Sequence, residues 1–320
     1  MSAVLKVKNL QKYFKITEGL FRHTAGQVHA VDDVSFSIDS GKTLGLVGES
    51  GCGKSTVGRT ILRLVDPTAG QIYLNGTNIT NMRFRELSPF RKQMQIIFQD
   101  PFSSLDPRMT AEEIVGEILT AHDTLSKSDI RTKVVQLFDK VGLRTDQLKN
   151  YPHEFSGGQR QRLGIARALS VDPDIIICDE PVSALDVSIQ AQVINLLIDL
   201  QTELGIAYLF IAHDLAVVEH ISDQVAVMYL GRIVEIADRD KIFQAAQHPY
   251  TESLLAAVPV PDPTQRKANR ILKGDVPSPV HRPPGCHFHT RCPYVTDRCK
   301  STAPDLKSIA PGHKVACHLR

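Results

Sequence analysis

Apolar positions along the chain fall into two patterns: short unbroken runs, and longer stretches in which they return every third or fourth residue. Thr43-Leu44-Gly45-Leu46-Val47 is an apolar run ending at Gly48, the form of a buried strand feeding a glycine loop. Beyond Lys54, residues Val57, Ile61, Leu62 and Val65 recur at helical spacing until Asp66-Pro67 stops the helix. Residues 103 to 165 read as helical, with Ile130, Val134, Leu137, Phe138 and Val141 on one face that ends at Gly142. Asp174-Ile175-Ile176-Ile177-Cys178 is the continuous run of a strand covered on both faces. A helix carrying Val193, Leu196, Leu197, Leu200 and Leu204 leads to a further buried strand, Ala207 to Ala212. After Asp223 the sequence Val225, Val227, Tyr229, then Gly231, then Ile233 and Glu235 predicts a hairpin. Strands alternating with helices predict an α/β core around a mainly parallel sheet, and no internal repeat is visible.

The texture changes at Val258. Pro259, Pro261, Pro263, Pro277, Pro279, Pro283 and Pro284 predict an irregular, partly extended linker into a cysteine-bearing tail. The predicted division is a first domain over residues 1–256, whose helical part spans about 103–165, and an extension over 257–320.

At 320 residues the chain is long enough for a large core and roughly two domains. Apolar content of 42% and charged content of 22% are those of an ordinary soluble globular protein. A net charge of +2 argues against a nucleic-acid groove or a polybasic membrane patch. No stretch reaches the ~18 to 20 unbroken apolar residues of a spanning helix. The segment Met1 to Lys8 lacks the apolar core of a secretory signal. The expectation is a cytosolic chain whose membrane association comes through a partner. Four of the six cysteines crowd into the last 35 residues, which points to metal rather than to a disulfide framework.

Gly48-Glu49-Ser50-Gly51-Cys52-Gly53-Lys54-Ser55-Thr56 fits the phosphate-loop pattern G-x-x-x-x-G-K-[ST], and strand, loop and helix fall in the order that loop needs. Glycines let the backbone wrap a phosphate and aim N–H groups at its oxygens, and the helix that follows presents its positive end to the same anion. Lys54 supplies a charge for the β and γ phosphates, and the Ser55 hydroxyl a ligand for Mg²⁺. Asp179 and Glu180 close the isoleucine strand, at the end of a sheet strand where open α/β sheets bind ligands. Asp179 is expected to hold Mg²⁺, largely through water, and Glu180 to polarise the attacking water. A thiol near a helix N-terminus can have a lowered pKa, so Cys52 is expected to be reactive or, more plainly, a tolerated small residue.

With these residues in place the chain resembles the nucleotide-binding subunit of an ABC transporter across roughly residues 4 to 245. The family's motifs lie in order: Tyr13 in the adenine-stacking position, with Phe14 as the alternative ring; the phosphate loop; Gln99 within Phe98-Gln99-Asp100-Pro101; the signature Ser156, Gly157, Gly158 and Gln159; Asp179-Glu180; the loop Ser183 to Asp186; and His213 at a strand's end. The resemblance implies a P-loop NTPase core of RecA-like type, an antiparallel β subdomain, an inserted α-helical subdomain and a C-terminal cysteine-containing extension. It implies that Gln99 senses Mg²⁺ and the water, and that His213 donates a hydrogen bond near the γ-phosphate. It implies that the signature and Asp186 complete the ATP site of a second cassette, the same chain or a paralogue.

Gln247-His248-Pro249-Tyr250-Thr251-Glu252-Ser253-Leu254-Leu255, the proline linker and the cysteine cluster resemble the extension of peptide-importer cassettes, in the dipeptide/oligopeptide branch that also holds nickel and glutathione importers, and most closely its F-type subunit. That resemblance implies two membrane permease subunits, a periplasmic or extracellular solute-binding protein, and a peripheral position on the cytoplasmic face of the cell membrane. Cys286, Cys292, Cys299 and Cys317 are spaced C-x5-C-x6-C-x17-C, neither the common zinc knuckle nor the bacterial ferredoxin run. Four thiolates suit tetrahedral zinc or a 4Fe–4S cluster, the resemblance favours the cluster, and free or paired cysteines are the plain alternative. His287, His289, His313 and His318 are further candidate ligands or scattered surface residues. The alternatives to an importer are a soluble ABC ATPase on DNA or ribosomes, an exporter cassette, and a regulatory module without turnover. The single cassette without coiled-coil arms, the extension, and intact Lys54, Asp179, Glu180 and His213 weigh against them in turn.

Overall fold

The structure, a computed structural model, describes residues 3–18, 23–122, 125–257 and 274–320, so much of the proline linker from Val258 lies outside the described residues. Contacts gather the chain into two compact units, one of Met1–Leu5, Ile38–Lys42 and Leu74–Ile211, the other of Lys6–Ser37, Thr43–Tyr73 and Ala212–Arg320.

The first unit contains three parallel strands, with Ile175–Asp179 between Met94–Ile97 and Ala207–Ile211. All five residues of Ile175–Asp179 are buried, as an unbroken apolar run requires of a strand covered on both faces. The region expected to be helical holds the helices Ala111–His122, Lys127–Lys140 and Gly157–Leu169, which pack on one another. Val134, Leu137 and Phe138 are buried on the face the periodicity marked. Ser126 caps the second of these helices by accepting from the Asp129 N–H at 3.2 Å. The helix Val187–Leu204 stops where Gly205 adopts a left-handed conformation, φ +68°.

In the second unit five strands lie side by side in the order Lys307–Ala310, His313–Val315, Arg232–Asp238, Gln224–Tyr229, Thr43–Val47. Thr43–Val47 runs parallel to Gln224–Tyr229, and the other pairs are antiparallel. The predicted hairpin is present, closed by Leu230 and Gly231 at φ +43° and +84°, the two left-handed residues a tight two-residue turn needs. The helix after the phosphate loop is shorter than expected, Lys54–Ile61, because the chain turns at Arg63 with φ +53°. In the tail, where the sequence predicted no element, residues 307–315 add two strands to the sheet.

Glu235 holds that addition in place. Its carboxylate is fully buried on the strand Arg232–Asp238 and accepts from the N–H groups of Gln247 and His248, at 2.7 and 3.0 Å, while His313 Nε2 stands 2.7 Å away. A buried carboxylate is tolerable only with such a full set of partners. Replacing Glu235 with Ala should cost about 3–5 kcal/mol, because a buried imidazole and two backbone donors are orphaned together. Chemical denaturation measures this, and a loss below about 1 kcal/mol would show that the tail is anchored elsewhere.

Candidate functional site

The phosphate loop leaves the buried strand Thr43–Val47 and enters the helix Lys54–Ile61 with Gly53 as its left-handed N-cap, φ +108°. A side chain at Gly53 would strike the Ala30 carbonyl, and one at Gly48 the Met228 carbonyl, so the loop can pass between its neighbours only as bare backbone. Gly51 turns through φ +78°, and Ser50 and Thr56 complete the turn and the first helical residues. Lys54 is buried, with its ammonium donating to the carbonyls of Gly48 at 2.7 Å and Glu49 at 3.2 Å. Cys52 does not meet the expectation of a lowered pKa. Burial pushes its thiol up and outweighs the nearby Lys54 charge, so it is a packed small residue and not a reactive one.

His213 is exposed just beyond Ala212, whose N–H donates to the Leu46 carbonyl at 3.2 Å. It therefore leaves the sheet beside the strand that feeds the loop. Tyr13 is half-buried and fixed at three points. Its hydroxyl donates to Asp32 at 2.6 Å, its backbone N–H donates to Thr68 Oγ1 at 2.9 Å, and its ring lies 4.2 Å from that of His29. Asp32 is 5% exposed and also receives Arg232 at 2.8 Å and Arg282 at 2.6 Å. Burial would raise the Asp32 carboxyl, but the hydrogen bonds from Tyr13, Arg282 and Arg232 hold it well below the usual carboxylate range. Burial first, then the bond to Asp32, pushes Tyr13 up to about 12. Phe14 by contrast is 39% exposed, with the Lys12 ammonium over its ring. The Asp32 cluster was missed in the sequence because its members stand 19, 200 and 250 residues from one another's partner, with no local motif to join them.

In the first unit Asp179 is buried and ends its strand, and Glu180 follows with φ +50°, a left-handed conformation uncommon for a glutamate. Its N–H donates to the Ile211 carbonyl at 3.0 Å, and its carboxylate accepts from Gln99 Nε2 at 3.1 Å. The structure thus brings together Gln99 and Glu180, which the sequence placed in separate motifs. Ser156 caps the helix Gly157–Leu169: its hydroxyl accepts from the Gln159 N–H at 3.3 Å, and the Gln159 side chain accepts from the Ser156 N–H at 2.9 Å. Gly158 has no room for a side chain against Ile189, which seats this helix start on the helix Val187–Leu204. Ser156, Gly157 and Asp186 are exposed, and Val187 is 81% exposed.

Cys286, Cys292, Cys299 and Cys317 carry free thiols, and the Cys286 N–H donates to the Cys299 carbonyl at 2.8 Å. Burial pushes Cys286 up to about 11 and raises Cys292 and Cys317 as well. Among the described residues no three His, Cys, Asp or Glu side chains are grouped to hold a metal ion. The tail histidines are not a scattered surface set either. His313 is buried on Glu235, His289 pairs with the Cys286 carbonyl, His318 pairs with the Thr302 carbonyl, and burial pushes His287 down to about 4.

The depressed Asp32 carboxyl sets a pH dependence. Its contribution to stability is complete above the ordinary unfolded aspartate value of about 4 and fades only as pH falls through its lower folded-state value. Asp32→Asn should lower the melting temperature by a margin that stays constant from pH 8 to about pH 5 and narrows below about pH 4. Melting curves across that range check it, and a margin that widens towards acid pH would refute it.

Residues 31–183 match the ABC transporter family, and residues 234–299 match the oligopeptide/dipeptide transporter C-terminal region. The chain is 54% identical, over 99% of its length and 90% of the relative's, to a probable peptide ABC transporter ATP-binding protein of Sinorhizobium fredii, y4tS. It is 52% identical to the oligopeptide transport ATP-binding protein AppF of Bacillus subtilis, over 99% of this chain and 97% of that one. Among solved structures, the ATP-binding cassette MJ0796 in its dimeric post-hydrolysis state with ADP and Pi matches 73% of this chain and 98% of its own, with a TM-score of 0.66 at 28% identity. The chain cbiO1 of Clostridium perfringens, part of the cbiONQ complex, matches 77% of this chain and 92% of its own, with a TM-score of 0.66 at 26% identity. Phosphate loop, strand-end carboxylates, capped signature helix and tail all lie within these matches, and the chain belongs to the ATP-binding proteins of ABC transporters, in the branch that carries the oligopeptide/dipeptide C-terminal region.

Proposed function

We infer that the chain is the ATP-hydrolysing subunit of a membrane importer that takes up di- or oligopeptides. The observation that carries this is the union, in one chain, of the phosphate loop with the oligopeptide/dipeptide C-terminal region at 234–299. The roles assigned are these. Residues Gly48 to Thr56 and Lys54 cradle the phosphates, Tyr13 stacks on the base, and Ser55, Gln99 and Asp179 serve Mg²⁺. Glu180 activates water, with Gln99 holding its carboxylate, and His213 steadies the γ-phosphate. The signature residues Ser156 to Gln159, of which Ser156 and Gly157 are exposed, complete with Asp186 the site of a second cassette, which we take to be a paralogue. Two permease subunits and a solute-binding protein outside the membrane supply the path and the specificity.

Among the described residues no helix is long and apolar enough to cross a membrane. The proposed position is peripheral, on the cytoplasmic face of the cell membrane, docked on the permeases. Phe102, 54% exposed three residues beyond Gln99, supports a docking role for that loop. The proposed domain boundary lies at 256/257. The four tail cysteines would hold a 4Fe–4S cluster, with zinc as the alternative.

The central test uses the assembled transporter. Glu180→Gln should leave ATP binding intact and reduce both hydrolysis and peptide uptake at least about 100-fold. Full hydrolysis in that variant removes Glu180 from its role, and hydrolysis without uptake of any di- or oligopeptide removes the assigned cargo. For the tail, anaerobically purified protein should absorb broadly near about 400 nm. A colourless sample carrying stoichiometric zinc would replace the cluster with zinc.

A further inference from the structure

The tail reaches back to the phosphate loop. Arg291, one residue before Cys292, forms a two-pronged ion pair with Glu49, the second residue of the loop: Nη1 to Oε2 at 2.7 Å and Nη2 to Oε1 at 2.9 Å. The guanidinium side chain is only 6% exposed, and its carbon lies 6.0 Å from the centre of the Tyr229 ring. Its backbone N–H donates to the Phe288 carbonyl at 3.0 Å, and the Phe288 ring packs edge-on to Tyr229 at 5.3 Å and against Tyr250 at 5.4 Å. Tyr250 completes the grip, with its hydroxyl accepting the Glu49 backbone N–H at 2.9 Å. Both backbone and side chain of Glu49 are therefore held by residues from the far end of the sequence.

Glu49 is an awkward residue for this position. A carboxylate in a loop built to cradle phosphates adds a negative charge beside an already polyanionic ligand. Its fixed partner cancels that charge, and the fork geometry also fixes where the side chain points. We propose that Arg291 is a positioning residue for nucleotide binding, acting through Glu49 to neutralise and orient the phosphate loop, so that the C-terminal extension is a working part of the ATP site. The proposal rests on the phosphate-loop reading above. Arg291 does not touch the nucleotide; its effect falls on affinity and not on the bond-breaking step.

The test measures ATP binding and steady-state hydrolysis with the full chain. Arg291→Ala should raise Kd and KM for ATP about tenfold while kcat stays within about twofold, because the uncompensated Glu49 charge repels ligand in ground and transition states alike. Arg291→Lys, which keeps the charge but not the fork, should fall between the two. The double variant Glu49→Gln/Arg291→Ala should return Kd to within about threefold of the parent, since removing the carboxylate removes the need for its partner. An unchanged Kd in Arg291→Ala overturns the proposal. A double variant as impaired as the single one also overturns it, because the arginine would then be a structural prop for the cysteine region. Failure of the parent protein to bind ATP would instead strike the phosphate-loop reading itself.

Discussion

Three pieces of backbone press on the phosphate loop, and the arrangement of its unit follows from keeping them there. The carbonyls of Ala30 and Met228 stand where side chains on Gly53 and Gly48 would be, and the Gly231 N–H donates to the Cys52 carbonyl at 2.9 Å. The loop is therefore moulded from outside as much as by its own glycines. Gly231 sits at the tip of the hairpin between Gln224–Tyr229 and Arg232–Asp238, and its carbonyl accepts the Asp32 N–H at 2.8 Å. A single turn thus carries one hydrogen bond to the phosphate end and one to the aromatic cluster around Tyr13. A loop preshaped in this way needs little reorganisation to meet an anion, which is the condition under which backbone dipoles bind charge well.

What could be read in the sequence was whatever short-range pattern controls. The strands at Thr43–Val47, Ile175–Asp179 and Ala207–Ile211, and the hairpin after Asp223, showed as apolar runs because each is covered on both faces or closed by a local turn. The phosphate loop was legible because its glycines and Lys54 are contiguous. The tail strands were not. Lys307–Ala310 is exposed throughout and His313–Val315 is three residues long, so neither offers a period to detect, and the Pro311-Gly312 pair between them was the one available signal. Cys52 shows the complementary failure. Position beside a helix start argued for a low pKa, but burial, which one sequence does not display, has the larger effect.

The start of the helix Gly157–Leu169 is held in shape by its own bonds. Ser156 and Gln159 satisfy each other's backbone groups, and Gly158 lets Ile189 approach the start of the helix. Those bonds fix the first turn of Gly157–Leu169 and leave Ser156 and Gly157 at the surface. Asp186 and Val187, at the start of the helix that carries Ile189, are exposed alongside. A preformed helix terminus costs less ordering entropy on association than a loop would.

Beside its strand pairing and the packing of Phe288, the tail is fixed by polar contacts that follow one rule applied three times. Three carboxylates of the second unit, Asp32, Glu49 and Glu235, each receive a cationic or hydrogen-bonding side chain from beyond residue 280: Arg282, Arg291 and His313. Asp32 and Glu235 are almost wholly buried, and a buried carboxylate stripped of its partner is strongly destabilising. Each pairing also lands on a different working part: the aromatic cluster, the phosphate loop, and the sheet strand that leads to His248 and Tyr250. Apolar packing is less directional than a hydrogen-bonded pair. Two charge pairs and one buried hydrogen bond at separate points cannot be satisfied in more than one register, so they lock the cysteine-bearing segment to the loop that Arg291 grips.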